Sequence, residues 1–195
     1  MIKAIAFDYG GVIESREGDL FKEITQYLNV TRENWDKVYF SFNHLNMVKK
    51  GEEVLALVAK EFYASDVQIS YIKNLTIEHK KDKKINEELI NIIKKLKKKY
   101  KIALLSNNSV ELRQKLIDQN IIDLFDTVVI SSEVGHQKPQ PEIFEVLFNK
   151  LGVNSNEVIF IDDTKQSLFN ASSIGYTPIL YTDNQKLEEE LSKIL

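Results

Sequence analysis

The sequence of 195 residues contains no cysteine, only three prolines and seven glycines, and a single tryptophan. The absence of cysteine excludes a disulfide scaffold, a thiolate metal site and a cysteine nucleophile. No apolar run approaches the ~20 residues of a membrane helix, and the short apolar start lacks the features of a signal peptide. We therefore expect a cytoplasmic protein without a membrane partner.

The sequence also lacks an excess of charge of either sign. Lys and Arg number 26 and Asp and Glu number 29, which gives a net charge of −3. Such a chain has no global basic field with which to wrap nucleic acid. Hydrophobic residues make up 43% and charged residues 28% of the chain, as in folded globular proteins. We expect a globular protein with no nucleic-acid partner, and both a monomer and a dimer are compatible with this composition.

Apolar segments typical of buried strands alternate with amphipathic segments typical of helices along most of the chain. The strands are predicted at 2–8, 102–105, 127–130, 158–161 and 177–180, and the helices at 85–99, 109–119, 141–151, 165–174 and 185–194. This alternation predicts an α/β fold, a doubly wound parallel sheet with helices on both faces.

The first and second predicted strands are separated by far more chain than one crossover helix requires. The extra chain shows helical periodicity, so we predict a core domain of 1–14 and 82–195 with an inserted helical-bundle cap at 15–81. The insertion leaves from the carboxyl end of the first strand, where open α/β sheets bind ligands, and it is predicted to act as a lid. Lys50 in this cap precedes a glycine, and it is a candidate substrate contact or an ordinary exposed lysine.

Polar residues follow four of the predicted strands, and all fall at the carboxyl edge of the expected sheet. They are Asp8, Ser106, Lys138 and the pair Asp162-Asp163. Carboxylates bind hard cations such as Mg²⁺, and the cation shares the charge of a phosphate group. A lysine and a hydroxyl complete a phosphate site. The pattern therefore predicts a site for a phosphate group and a divalent metal.

Each of these residues taken alone also has a purely structural explanation. Asp8, Ser106 and Asn107 could cap turns or helices, and Lys138 could be a loop lysine. The pair Asp162-Asp163 could include a helix cap, but two adjacent carboxylates after an apolar strand are costly to desolvate together without a cation. The joint order and placement favour a common site.

With these motifs the chain resembles the haloacid dehalogenase-like (HAD) hydrolases, in the branch that carries a helical cap after the first strand. The resemblance covers essentially the whole chain and rests on FDYGGVI, LLSNN, EVGHQKPQPEIF and VIFIDDTKQSLFNASSIG. It implies a Rossmann-like core, Mg²⁺ as cofactor and, as in most members, a phosphatase that forms an aspartyl-phosphate intermediate.

The resemblance also implies a role for each motif residue. The implied residues are the nucleophile Asp8, the metal-site residues Asp8, Gly10, Asp162 and Asp163, the catalytic lysine Lys138, and the phosphoryl-binding residues Gly11, Ser106 and Asn107.

Two positions depart from the pattern of the family. Gly10 stands where phosphatases of the family usually carry a second aspartate as general acid and base, a group worth roughly 10²–10⁴-fold in rate. Ser167 stands where an additional aspartate often lies. The dehalogenase branch has tyrosine at the position of Gly10, whereas Tyr9 lies one residue too early, and an organohalide substrate needs no acidic metal pair.

These observations predict a Mg²⁺-dependent phosphatase that acts on a small phosphorylated metabolite, with a sugar phosphate as the specific candidate. Gly10 keeps a second class open, a non-catalytic sensor of a phosphorylated ligand or an interaction protein that retains the same site.

Overall fold

The computed structural model describes residues 1–15, 18–81 and 83–195. The chain divides into two compact units. One consists of Met1–Ser15 and Ile85–Leu195, and the other is Arg16–Lys84. Within the described ranges, no helix has both the length and the apolar character that crossing a membrane requires.

The secondary structure follows the predicted alternation of strands and helices. In the described part of the chain the elements are β1 (Ala4–Phe7), β2 (Glu14–Ser15), α1 (Leu20–Leu28), α2 (Arg32–Phe42), α3 (Gly51–Glu61), α4 (Asp66–Lys81), β3 (Lys84–Ile85), α5 (Glu87–Leu96), β4 (Lys101–Ser106), α6 (Glu111–Asp118), β5 (Thr127–Ile130), α7 (Ser131–Val134), α8 (Pro141–Leu151), β6 (Val158–Asp162), α9 (Ala171–Ile174), β7 (Thr177–Leu180) and α10 (Asn184–Ile194). Short 3₁₀ turns lie at Asn43–Met47, Ile122–Leu124 and Ser155–Glu157.

Five strands form one parallel sheet in the order β5-β4-β1-β6-β7. β1 is central, and the chain fills one side of it with β4 and β5 before it crosses to β6 and β7 on the other side. The carboxyl end of β1 therefore lies at the point where the winding direction reverses, which is where such sheets bind ligands. The predicted doubly wound α/β fold is confirmed. The two-residue strands β2 and β3, which the sequence did not predict, form a separate sheet.

Alternate residues of each strand enter two separate apolar cores, one on each face of the sheet. Ile5 and Phe7 belong to the first core, with residues of α5, α6 and α10. Ala4 and Ala6 belong to the second core, with residues of α8. The alanines leave room on that face for aromatic rings, and Phe144 contacts Phe160 edge to face with ring centres 5.5 Å apart. Helices cover both faces of the sheet, and polar residues lie at its amino and carboxyl edges, where the strands begin and end.

The helical unit has its own core. Trp35 of α2 is fully buried, and it stacks on Phe62 and meets Phe21 edge to face, with ring centres 5.8 and 6.1 Å away. Helices α1, α3 and α4 supply most of the remaining core residues, which include Ile24, Leu55, Val58, Ala59 and Ile72. This core explains the helical periodicity of the insertion.

One predicted helix, at 165–174, is wrong over most of its length. Only Ala171–Ile174 is α-helical, and 165–170 forms turns with three-residue bonds such as Leu168 N–H to the Lys165 carbonyl at 3.2 Å. The segment closes i+3 bonds of the 3₁₀ type in place of the i+4 bonds of an α-helix. Its last residue, Asn170, also donates from Nδ2 to the Pro139 carbonyl at 3.0 Å, and such a tertiary contact overrides local helical propensity.

Candidate active site

Parallel pairing brings two carboxylates to the same level at the end of the sheet. Phe7 pairs with Ile161, and the N–H of Asp8 donates to the Ile161 carbonyl at 2.9 Å. Asp8 and Asp162 therefore occupy corresponding places on neighbouring strands. Ser106 ends the strand on the other side of β1 and is 2% exposed. All three lie at the carboxyl edge, as the sequence predicted for them.

Lys138 reaches this edge from the loop between α7 and α8. Its Nζ lies 2.6 Å from Asp162 Oδ2 and 2.9 Å from Asp8 Oδ1. Only 2% of the lysine side chain is exposed, and its ammonium also lies 5.2 Å from the centre of the Phe160 ring. An unpaired charge would be costly to bury here, so the two carboxylates and the ammonium stabilise one another as a cluster.

Asp162 is fully engaged within the protein. Its Oδ2 accepts from Lys138, and its Oδ1 accepts from the Thr164 N–H at 2.8 Å and from the Thr164 hydroxyl at 2.7 Å. The Thr164 oxygen lies 2.8 Å from the hydroxyl of Ser167, which can donate to it in turn. Ser167, which stands where the family often has an aspartate, therefore supports the carboxylate of Asp162 through Thr164.

Asp163 lies against the loop that follows Asp8. Gly11 in this loop has a φ of +85°, and a Cβ placed on it would lie 2.2 Å from Asp163 Oδ2. Two independent constraints therefore favour glycine at position 11, the left-handed backbone and the approach of the carboxylate. The Gly11 N–H donates to the Glu14 carbonyl at 2.9 Å, so backbone bonds hold the loop in place. Gly10 has no side chain, and only its backbone is available to a ligand.

Asn107 contacts the loop of Lys138. Its Oδ1 accepts from the Lys138 N–H at 2.8 Å, and its Nδ2 donates to the Lys138 carbonyl at 3.0 Å. Lys50 lies in the other compact unit, exposed and directly before α3, and its N–H donates to Glu53 Oε2 at 3.2 Å. The predicted contacts of Asn107 and Lys50 with substrate stay predictions.

Burial and mutual charge set the protonation of the cluster. Burial raises the pKa of Asp8, the Lys138 ammonium lowers it, the Asp162 carboxylate raises it, and the net direction is upward. Burial lowers the pKa of Lys138, but Asp162 and Asp8 raise it more, so the ammonium stays charged. A divalent cation beside Asp8 would offset the burial of its carboxylate and favour the ionised form.

The donor set fits Mg²⁺. Oxygens of Asp8, Asp162 and Asp163 lie within 4.8 Å of one another. Three carboxylates and one ammonium sum to −2 when all are ionised, which matches the charge of a divalent cation. Asp162 already accepts from three donors, so a cation bound at this cluster would share the Asp162 carboxylate with Lys138 and Thr164. Mg²⁺ in proteins is typically held by one or two carboxylates together with substrate phosphate and water.

Two contributors to this site were not singled out from the sequence. Thr164 donates twice to Asp162, and Asn170 donates from Nδ2 to the Pro139 carbonyl at 3.0 Å. The pattern Asp-x-Thr is a local signal for the first contact, since an aspartate side chain commonly accepts from the backbone N–H two residues later. The contact of Asn170 joins positions 31 residues apart, which no local pattern reports.

Comparison with known proteins gives matches along the whole chain. The family model of the haloacid dehalogenase-like hydrolases matches residues 2–166. The D-ribitol-5-phosphate phosphatase of Bacteroides thetaiotaomicron is 25% identical over 208 residues, which cover 100% of this chain and 99% of that enzyme. The glyceraldehyde 3-phosphate phosphatase of Methanopyrus kandleri is 39% identical over 61 residues, which cover 31% of this chain and 26% of that enzyme.

Solved structures share the fold. A HAD family enzyme from Bacteroides thetaiotaomicron, crystallised as an aspartate-to-alanine variant in complex with magnesium and inorganic phosphate, superposes with a TM-score of 0.61 at 22% identity. The match covers 96% of this chain and 99% of that chain. The family model, the full-length relative and the parallel sheet with its carboxylate cluster agree, and the chain belongs to the haloacid dehalogenase-like hydrolases.

Proposed function

We propose that this hydrolase is a Mg²⁺-dependent phosphatase that acts on a small phosphorylated metabolite through an aspartyl-phosphate intermediate. The observation that carries the proposal is the cluster of Asp8, Asp162 and Asp163 around a buried Lys138 at the switch point of the sheet. A buried cluster of net negative charge destabilises the fold unless a cation binds there, and a bound cation can then offset the charge of a phosphate group.

Asp8 is the nucleophile in this proposal. Its carboxylate oxygen attacks phosphorus, the bond from phosphorus to the ester oxygen breaks, and the ester oxygen leaves largely unprotonated and then takes a proton from water. Water then attacks the phosphorus of the acyl phosphate, which releases inorganic phosphate and restores the carboxylate of Asp8. Lys138, which lies 2.9 Å from Asp8 Oδ1, offsets negative charge at the phosphoryl oxygens in both steps.

The remaining residues bind and orient the phosphoryl group. Ser106 contributes a hydroxyl from the carboxyl edge of the sheet. The Gly11 N–H donates to the Glu14 carbonyl at 2.9 Å, so a bond from it to the phosphoryl group requires that this loop contact opens. Asp8, Asp163 and the Gly10 carbonyl would hold Mg²⁺, and Asp162 would act beside them through Lys138. When bound, Mg²⁺ neutralises phosphate charge so that an anionic nucleophile can approach.

The substrate is a phosphate ester of a small polyol or sugar. Two relatives, named D-ribitol-5-phosphate phosphatase and glyceraldehyde 3-phosphate phosphatase, support this class. The helical unit, including Lys50, is the part of the chain that we expect to select the alcohol portion. We place the enzyme in the cytoplasm, where such metabolites occur, as a monomer or a dimer.

The test is phosphate release from a panel of phosphorylated polyols and sugars, with Mg²⁺ and with excess chelator. We expect release with Mg²⁺ and none with chelator, because the carboxylates and the phosphate dianion repel one another without the cation. Like charges ~4 Å apart repel by about 4 kcal/mol at an effective dielectric constant of 20. Mg²⁺ together with inorganic phosphate should also raise the melting temperature.

Two outcomes would decide against this function. Undiminished release in excess chelator would remove the metal-dependent mechanism. Mg²⁺-dependent binding of a phosphorylated metabolite without any release would identify a sensor of a phosphorylated ligand, the class that Gly10 keeps open.

A further inference from the structure

We infer that Asn107 and Asn170 are positioning residues that clamp the backbone of Lys138 and Pro139 and thereby fix the ammonium of Lys138 between Asp8 and Asp162. The inference rests on the proposed function for its kinetic consequences, but the clamp itself is a property of contacts within the sheet unit.

The first half of the clamp is Asn107. It directly follows β4, and its amide forms a donor and an acceptor bond with one residue, to the Lys138 carbonyl at 3.0 Å and from the Lys138 N–H at 2.8 Å. A primary amide is the side chain suited to this task, because it carries a donor and an acceptor side by side. Asn107 therefore uses one amide proton and one oxygen lone pair on these two bonds to Lys138.

The second half of the clamp is Asn170. It lies immediately before α9, and its Nδ2 donates to the Pro139 carbonyl at 3.0 Å. Proline has no N–H, so its carbonyl is the single backbone hydrogen-bonding group that residue 139 offers. The two asparagines therefore engage every backbone hydrogen-bonding group of Lys138 and Pro139. Asn107 follows β4 and Asn170 follows β6, the two strands that flank β1 in the sheet.

The clamp matters because lysine is a flexible side chain. Its ammonium is carried on a four-carbon stem, and its position is only as well defined as the Cα that carries it. Here that ammonium lies 2.6 Å from Asp162 and 2.9 Å from Asp8. A misplacement of about 1 Å at a reacting centre can cost about 10²-fold in rate. Hydrogen bonds to the backbone on both sides of the Cα fix its position and therefore limit the positions that the ammonium can reach.

A direct contact of Asn107 with substrate is the competing role, and a double-mutant cycle separates the two. We would measure kcat and KM for p-nitrophenyl phosphate with Mg²⁺ in wild type, N107A, K138A and N107A/K138A. Positioning predicts that N107A lowers kcat by about 10- to 100-fold with a smaller change in KM. It also predicts that N107A changes kcat by less than about twofold in the K138A background, since there is no ammonium left to position.

The matched control is Asn149→Ala, which removes an exposed asparagine from α8 of the same unit. Asn170→Ala tests the second half of the clamp and serves also if N107A does not fold. We expect N170A to lower kcat in the same direction and N149A to match wild type. Independent, multiplicative losses for N107A and K138A, or a wild-type kcat in both N107A and N170A, would overturn the inference.

A second readout needs no turnover. An acylating reagent should label Lys138 slowly in the metal-free wild type, because 2% of its side chain is exposed, and mass spectrometry of the Lys138 peptide measures the rate. We expect faster labelling of Lys138 in N107A and N170A than in N149A. If wild type releases no phosphate from any ester, the proposed function fails while this result still decides the clamp. Unchanged labelling in both variants would contradict it.

Discussion

The two edges of the central sheet place charge in opposite ways. At the amino edge, Lys3 lies 2.6 Å from Glu157, with 59% of the lysine side chain and 16% of the glutamate side chain exposed. At the carboxyl edge, Lys138 lies equally close to Asp162, and 2% and 1% of these side chains are exposed. The distances are the same, so the difference between the edges is solvation.

Solvation decides what each pair contributes. An exposed ion pair adds about 0–1 kcal/mol to stability and is screened by salt. For a buried pair, the free energy of hydration that is lost exceeds the attraction between the charges unless the geometry is excellent. Removal of one partner leaves a buried, uncompensated charge. The amino edge therefore carries an exposed pair of small effect on stability, and the carboxyl edge carries buried charges, as we propose for a site that binds a charged ligand. The predictions below test that contrast, from the largest effect to the smallest.

We predict the largest effect at Asp8, the proposed nucleophile. Asp8→Asn should reduce Mg²⁺-dependent phosphate release by at least about 10⁴-fold, as removal of a nucleophile does in other enzymes. Lys3→Ala, which breaks the exposed pair at the opposite edge, should leave turnover at the wild-type level. Parallel assays with one good phosphate ester measure both. Comparable turnover in the two variants would contradict the claim that the chemistry takes place at the carboxyl edge.

We predict the next effect at position 10, where glycine stands in place of the aspartate that most phosphatases of the family use as general acid. With Gly10 where a general acid usually stands, the leaving oxygen departs largely unprotonated, so the rate should fall steeply as the pKa of the leaving group rises. Aryl and acyl phosphates should exceed primary alkyl phosphates by about 10²–10⁴-fold, the size of a general-acid contribution.

The measurement is a Brønsted series of phosphate esters on wild type and Gly10→Asp at fixed Mg²⁺. Gly10→Asp should flatten the series. A series that is already flat in wild type would mean that another group supplies the proton, and our interpretation of Gly10 would be wrong.

A smaller effect is expected at Gly11, where comparison with Gly135 separates the cost of a left-handed backbone from a clash with Asp163. Gly11 and Gly135 have φ values of +85° and +76°, but only at Gly11 would a Cβ meet a neighbour, Asp163 Oδ2 at 2.2 Å. Both Gly→Ala variants should lose about 1–2 kcal/mol of unfolding free energy through the left-handed backbone. Gly11→Ala should in addition lose about 10²-fold in turnover because Asp163 moves.

Urea denaturation and a turnover assay give both numbers for each variant. Gly135→Ala is the control, since none of the described residues other than its chain neighbours lies within 4 Å of its added Cβ. Full activity in Gly11→Ala would show that the position of Asp163 does not matter to the reaction.

The smallest effect lies at the amino edge. Burial raises the pKa of Asp126, but the Ile102 N–H and Lys97 lower it more, and the net pKa is below the ordinary value of about 3.9. The stabilisation is therefore complete above that value and is lost as pH falls through the lower folded-state pKa. Because 42% of the Asp126 side chain is exposed, Asp126→Asn should cost no more than about 1 kcal/mol at pH 7.

Urea denaturation of wild type and Asp126→Asn from pH 7 to strongly acidic pH checks this sign. The difference between the two proteins should shrink as the pH falls. A difference that grows in acid would mean that the pKa of Asp126 is raised by folding.

Much of this architecture could be predicted from sequence because its signals are local. Apolar runs that end in polar residues marked β1, β4, β5 and β6, and the same runs located Asp8, Ser106 and Asp162 at one edge. The alternation of Ile5 and Phe7 with Ala4 and Ala6 is likewise a period-two signal.

The features that sequence did not predict depend on contacts between distant segments. Position 11 requires glycine because a Cβ there would clash with Asp163, which is distant in the sequence. Asn107 forms hydrogen bonds with the backbone of Lys138, 31 residues further along the chain. The predicted helix at 165–174 was wrong over 165–170, where the chain closes three-residue turns and Asn170 donates to the Pro139 carbonyl, 31 residues earlier in the chain. Helical propensity is a weak signal that such tertiary contacts override.

The most direct test of the central claim is to trap the covalent intermediate on Asp8. Borohydride added during turnover reduces an aspartyl phosphate to homoserine, which mass spectrometry of the amino-terminal peptide detects. We predict homoserine at position 8 in wild type with Mg²⁺ and substrate, and none without substrate or in Asp8→Asn. Turnover without homoserine at position 8, or homoserine at Asp162 or Asp163 instead, would contradict the assignment of Asp8 as the nucleophile.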